Sequence, residues 1–126
     1  MSNLQLSLKK QWFDLTKSGV KTEDYREITQ YWLKRLTGTY LTSNGVLQSD
    51  STLYEIMDNH KELIMNCCSF KKFKATIMTL GYPKSTDSER ILKIEHKGIE
   101  IREGNPEWGA VPGRKYFVVM HGSFLQ

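Results

Sequence analysis

Residues 18–28 read SGVKTEDYREI, from Ser18 to Ile28, and this stretch lies between two short helical patterns. Upstream, Trp12, Phe13 and Leu15 recur at helical spacing between Lys10 and Lys17. Ser18-Gly19 then supplies a stop, because glycine accepts the left-handed conformation that ends helices. Downstream, Thr29 is positioned to cap a second helix in TQYWLKRL, where Trp32, Leu33 and Leu36 lie three or four residues apart. Between the helices, TEDYREI reads as a strand centred on Tyr25. Period-two alternation puts Lys21, Glu23, Tyr25 and Glu27 on one side and Thr22, Asp24 and Arg26 on the other. Neither side is apolar, so the strand is either a solvated edge or one wall of a polar cleft that meets a ligand.

Working outward, LQLSLK (residues 4–9) alternates apolar and polar residues, the period of a half-buried strand. The chain therefore opens strand, helix, glycine turn, strand, helix. Residues 37–69 form an insertion whose shape the pattern leaves open. Asn44-Gly45 is a turn signal able to join two short strands, and Leu53, Ile56, Met57, Leu63 and Ile64 give patchy helical periodicity. Regularity returns in KKFKATIMTL, with a strand expected from Phe73 to Leu80, and then in RILKIEHKGIEIRE. In the latter, Ile91, Leu92, Ile94, Ile99 and Ile101 surround Gly98, where a bulge or sharp bend is expected. The loop EGNPEWGAVPGRK leads into a last strand, YFVVMHGSFL. Five or six short strands with two small helices near the start predict an α+β, mainly β fold: a small mixed barrel with helices at its ends. A parallel nucleotide-binding sheet needs long crossover helices, and the late part of the chain has no pattern for them.

A length of 126 residues suits one domain spanning 1–126, and 39% hydrophobic with 25% charged residues is ordinary globular composition. Eighteen Lys+Arg against 14 Asp+Glu give a net charge of +4. That favours anionic partners mildly, and a solvated basic surface equally. Cys67 and Cys68 are neighbours, a poor geometry for a disulfide. With only His60, His96 and His121, widely spaced, a metal site is not expected, and no cofactor motif of the GxSxG, Walker or GxGxxG type occurs. The expectation is a reduced, cytoplasmic protein with packed thiols. Leu4, Leu6 and Leu8 alternate with polar residues instead of forming a signal peptide's apolar run, and no stretch suits a membrane span.

Cations and aromatics crowd the opening stretch: Lys9, Lys10, Lys34 and Arg35 flank it, with Trp12, Tyr31 and Trp32 among them. Such interleaving suits RNA or a nucleotide, phosphates on the cations and bases on the rings, although Trp12 and Trp32 also fit as helix core. Lys21 is a candidate base if partly desolvated beside another cation, and a phosphate anchor if exposed. Arg26 offers a planar fork for a phosphate, or pairs with an acid such as Glu23 or Glu107. Glu107 is a candidate acid or base and Trp108 a stacking ring, against the alternative of a stiff loop whose Trp108 caps the barrel. Asn105-Pro106 is first a turn signal and then a ligand contact. Tyr82, in the loop after the Phe73 strand, either faces the same cleft or is a surface turn tyrosine, the more usual case.

The spacing Gly19, Lys21, Arg26, set between a strand–helix unit and a second strand, resembles the GxKxxxxR signature of ASCH domains, small barrels related to the PUA fold. LSLKKQWFDLTKSGVKTEDYREITQYWLKRL resembles the opening of an ASCH subgroup common in phages and gut bacteria. GIEIREGNPEWGAVPGRKYFVVMHG resembles that subgroup's ending, including the GNPEWGA loop. The resemblance implies a PUA-like pseudo-barrel with a cleft beside the helix before the motif. Similar domains bind RNA, and some hydrolyse an acylated nucleoside or cleave RNA. In the amidohydrolase members a lysine, a threonine three residues later and a glutamate elsewhere carry the chemistry. Lys21 matches that lysine, and Asp24 occupies the threonine position. The expected function is thus binding of RNA or a modified nucleotide in a basic cleft, with contacts from Lys9, Lys10, Glu23, Tyr25, Arg26, Lys34, Asn105 and Trp108. One alternative is a hydrolase using Lys21 with Asp24, Glu23 or Glu107, and another is a phage accessory protein that binds a host protein.

Overall fold

Leu4, Leu6 and Leu8 face inward and Gln5 outward, so the opening alternation becomes strand β1 (Leu4–Leu8) of a computed structural model describing residues 2–65 and 68–125. Burying three leucines contributes about 2 kcal/mol apiece. Helix α1 (Lys10–Lys17) follows and buries Phe13 and Thr16. β2 (Glu23–Arg26), α2 (Gln30–Thr37), β3 (Thr42–Ser43), β4 (Val46–Leu47) and α3 (Asp50–Met65) come next. The later strands are β5 (Ala75–Leu80), β6 (Ile91–Glu103) and β7 (Lys115–Phe124). The fold is α+β, with a mixed five-stranded sheet in the order β1-β5-β6-β7-β2 and a separate β3-β4 pair.

The chain divides into two compact units. The first comprises the residues up to Asp24, Lys72–Gly98 and the stretch from Val119 onward. Within it β1 runs parallel to β5, with Leu4 opposite Thr76 and Leu6 opposite Met78. β5 runs antiparallel to β6, with Met78 opposite Leu92 and Thr76 opposite Ile94. Leu4, Leu6, Leu8, Phe13, Ala75, Met78, Leu92, Ile94 and Val119 supply its core.

The second unit comprises Tyr25–Lys71 and Ile99–Val118. Thr29 caps α2 as its sequence position implies, its hydroxyl accepting from the Trp32 amide at 3.2 Å, and Gly38 ends the helix at φ 87°. The buried Gln30 side chain fixes the following hairpin. Its amide nitrogen donates to the Leu41 and Gln48 carbonyls at 2.8 and 3.0 Å, and its oxygen accepts from the Leu41 amide at 2.9 Å. Asn44-Gly45 makes the turn of that hairpin, both residues at positive φ. Ile28, Leu33, Leu36, Leu53, Met57, Ile64, Ile101, Phe117 and Val118 are buried here.

Several details depart from the sequence reading. The strand expected from Phe73 begins at Ala75. The two early helices are in place, and the open segment 37–69 adds α3, broken at His60 (φ −142°, ψ 47°). That break divides the apolar spacing into Leu53/Met57 and Ile64, which is why the periodicity looked patchy. β6 is one continuous strand through Gly98, which takes a φ of 130° that only glycine adopts readily. Cys68 is buried, and Cys67 lies outside the described residues. No helix among the described residues is long and apolar enough to cross a membrane.

Candidate functional site

In the first unit, Gly19 answers for the geometry of Lys21. With Gly19 at φ 85°, the chain folds back so that the Gly19 amide donates to the Thr16 carbonyl at 3.1 Å and the Lys21 amide to the Leu15 carbonyl at 3.1 Å. Lys21 is consequently buried, 2% exposed, and so is Asp24 at 5%. The Lys21 ammonium donates to the Glu23 carbonyl at 2.7 Å and to Asp24 Oδ1 at 3.1 Å. It also lies 5.9 Å from the centre of the half-buried Trp12 ring. The simple alternation drawn across residues 21–27 is therefore corrected. β2 starts only at Glu23, and Lys21 lies in the connection, where an i,i+3 spacing brings it to Asp24. An exposed phosphate anchor at Lys21 is ruled out by its burial. Lys9 and Lys10 are exposed, and Lys10 pairs with Asp14 at 2.7 Å.

A cavity of about 50 Å³ lies in the same unit, lined by Thr16, Gly19, Lys21, Thr22, Ile94, His121, Gly122 and Phe124. That volume holds water-sized groups. His121, which no sequence signal singled out, has both ring nitrogens buried without a hydrogen-bond partner among the described residues. Its pKa is pushed down from 6.5 to about 4, chiefly by burial, with Lys21 and His96 also lowering it and Asp24 and Glu23 opposing. His96 is lowered too, by burial, and bonds to Thr76 Oγ1 at 3.0 Å. No group of three or more His, Cys, Asp or Glu able to hold a metal ion occurs among the described residues.

In the second unit, Tyr25 receives the tryptophan loop: its hydroxyl accepts from the Asn105 amide at 2.8 Å. A Cβ on Gly104 would lie 2.5 Å from the Tyr25 ring and 2.8 Å from Ala110 Cβ, so only glycine lets the loop sit this close. Asn105 Oδ1 accepts from the Glu107 amide at 2.9 Å, and Pro106–Trp108 form a single 3-10 turn. Glu107 is exposed and Trp108 half-buried. Asn105 is thereby occupied in making the turn.

The α2 side of this unit gathers cations onto aromatic rings. The guanidinium carbons of Arg26 and Arg35 lie 5.0 and 4.8 Å from the centre of Trp32. Arg35 also lies 5.7 Å from Tyr31 and donates to its hydroxyl at 3.4 Å. Tyr31 meets Trp32 edge-on at 5.3 Å, and the Lys34 ammonium lies 5.3 Å from Tyr40. Tyr31 and Tyr40 are 61% and 47% exposed, whereas Trp32 is half-buried. No Asp or Glu occurs between Glu27 and Asp50 in the sequence. Of the expected contacts, Arg26 and Lys34 thus lie with Arg35 and Tyr31 in one unit, and Lys21, Asp24 and Glu23 in the other. The chain matches no protein-family model, no curated protein and no solved structure.

Proposed function

We propose that this chain is an ASCH-like, PUA-related domain that binds single-stranded RNA through the exposed α2 face. The observation that carries the reading is the pair of guanidinium groups on Trp32 beside the exposed Tyr31 and Tyr40 rings. Trp32 holds Arg26 and Arg35 in place before any ligand arrives, so less side-chain freedom is lost when phosphates bind. Tyr31 and Tyr40 then offer open faces for bases, and stacking tolerates any sequence. The run from residue 28 to residue 49 contains no Asp or Glu, so Lys34 and Arg35 sit in a stretch of sequence that is basic on balance and favours an anionic ligand.

Fluorescence anisotropy with a short labelled oligouridylate at low salt tests this. Wild-type protein binds, and affinity falls steeply as salt rises, since bound cations release counterions. Tyr31→Ala weakens binding by about 5- to 150-fold, the range for losing one stacked base. Arg35→Glu weakens it further. Absence of binding at low salt, or equal binding by both variants, rejects the proposal, and binding of mononucleotides as tight as the oligomer shifts it to a nucleotide site.

One observation favours a second reading. The buried Lys21–Asp24 pair beside a small cavity suits a hydrolase acting on an acylated nucleoside, with Lys21 as base or activating cation and Asp24 as its carboxylate partner. Release of free acid from an N-acylated nucleoside, lost in Lys21→Met, supports it. A wild-type protein without turnover removes it.

A further inference from the structure

His121 is joined to the glycine-turn segment by its backbone, the His121 amide donating to the Thr22 carbonyl at 3.0 Å. Its imidazole, in contrast, makes no hydrogen bond among the described residues. The ring lines the 50 Å³ cavity whose remaining lining includes the exposed Gly19, Thr22 and Phe124, so a short path leads from it toward solvent once that lining moves aside. The charged and titratable neighbours are Lys21, Glu23 and Asp24 from the glycine-turn side, and His96 from β6. Also from β6, Glu95 presses its carboxylate on Gly122 and accepts from the Ser123 amide at 3.3 Å.

A proton on His121 would place a second buried cation beside Lys21, with the Asp24 carboxylate already bonded to the Lys21 ammonium. A second cation beside Lys21 in a largely buried site is costly even with Asp24 and Glu23 opposing, and the cost disappears when the imidazolium reaches water. We propose that His121 is an acid-sensitive latch: when protonated, it turns out through the cavity, releases the Thr22 carbonyl and opens the Gly19–Thr22 segment over the Lys21–Asp24 pair. The latch uses none of the α2 residues and stands or falls independently of RNA binding. At neutral pH the segment is closed and Lys21 is sealed; in acid the pair becomes reachable by solutes.

Hydrogen exchange of individual amides tests this, with rates corrected for the intrinsic pH dependence. The Lys21 and His121 amides report the latch, and the Met78 amide, in the β5 pairing, reports larger openings. The Lys21 and His121 amides are expected to exchange faster than Met78 at both pH values. From pH 7 to pH 5 their opening should increase roughly 20-fold, the linkage for an imidazole that recovers its ordinary proton affinity on exposure. His121→Phe fills the site with a ring of similar shape and abolishes the increase, whereas His96→Phe preserves it. Equal exchange at the two pH values, an increase that persists in His121→Phe, or rates that coincide with those of Met78 would each overturn the latch. The wild-type comparison decides on its own if a variant does not fold.

Discussion

Removing the Asp24 carboxylate takes a buried counter-charge away from the Lys21 ammonium, and the structure sets the size of the effect. The two charges are 3.1 Å apart, with side chains 1% and 7% exposed. At an effective dielectric near 20 their attraction is about 5 kcal/mol, from which the cost of taking both out of water must be subtracted. Deleting only one partner leaves that cost on the other, so Asp24→Ala or Lys21→Met should each destabilise the fold by roughly 3–5 kcal/mol. The double substitution Lys21→Met with Asp24→Leu removes both charges and conserves bulk, and should fall within about 1–2 kcal/mol of wild type. Urea denaturation at pH 7 reads these differences: with a slope of about 2 kcal/mol per molar, a single substitution lowers the midpoint by roughly 2 M. A domain of ordinary stability, about 5–15 kcal/mol, survives this loss only in part. Single variants that lose less than about 1 kcal/mol would mark the pair as an ordinary exposed one and refute its burial.

Two further outcomes follow from the same geometry. His121 has a folded pKa near 4 against an ordinary 6.5, so the unfolded chain takes the proton more readily. Stability is therefore full above about pH 6.5 and declines as pH falls toward 4, by about 2 kcal/mol between pH 7 and pH 5. His96, also lowered, adds in the same direction, and urea midpoints of wild type and His121→Phe across that window provide the check. Gly104→Ala would set a methyl 2.5 Å from the Tyr25 ring and should cost about 1–3 kcal/mol. Gly122→Ala would displace the Glu95 carboxylate from the Ser123 amide and set a methyl 3.0 Å from Glu95 Cβ, so thermal unfolding should show it destabilised as well.

Local chemistry carried most of the fold. α1, the Thr29 cap, the Asn44-Gly45 turn and β6 through Gly98 all rest on short-range signals: apolar spacing, a capping hydroxyl, glycine at positive φ. α3 escaped because the kink at His60 interrupts its apolar stripe and sequence periodicity assumes a straight helix. The site was harder to read. Asp24 and Lys21 sit in a strongly polar stretch of the chain, and nothing in their charge says that a glycine turn will bury them. His121 stands alone in an apolar strand, a position that patterning assigns to the core without showing that its nitrogens lack partners. Arg26 and Arg35 flank Trp32 closely enough in sequence for their grouping to be anticipated, and the structure adds the distances.

Photo-cross-linking bears most directly on the RNA reading. Ultraviolet irradiation of the protein with a short oligouridylate, followed by mass spectrometry of the digest, locates the aromatic rings that bases touch. The account predicts nucleotide adducts on Tyr31 and Tyr40, reduced by added salt and absent in Arg35→Glu. Tyr82 is 96% exposed and serves as the built-in control for indiscriminate reaction. Adducts confined to Tyr82 or to other rings outside residues 26–40, or no adducts at all under binding conditions, would contradict it.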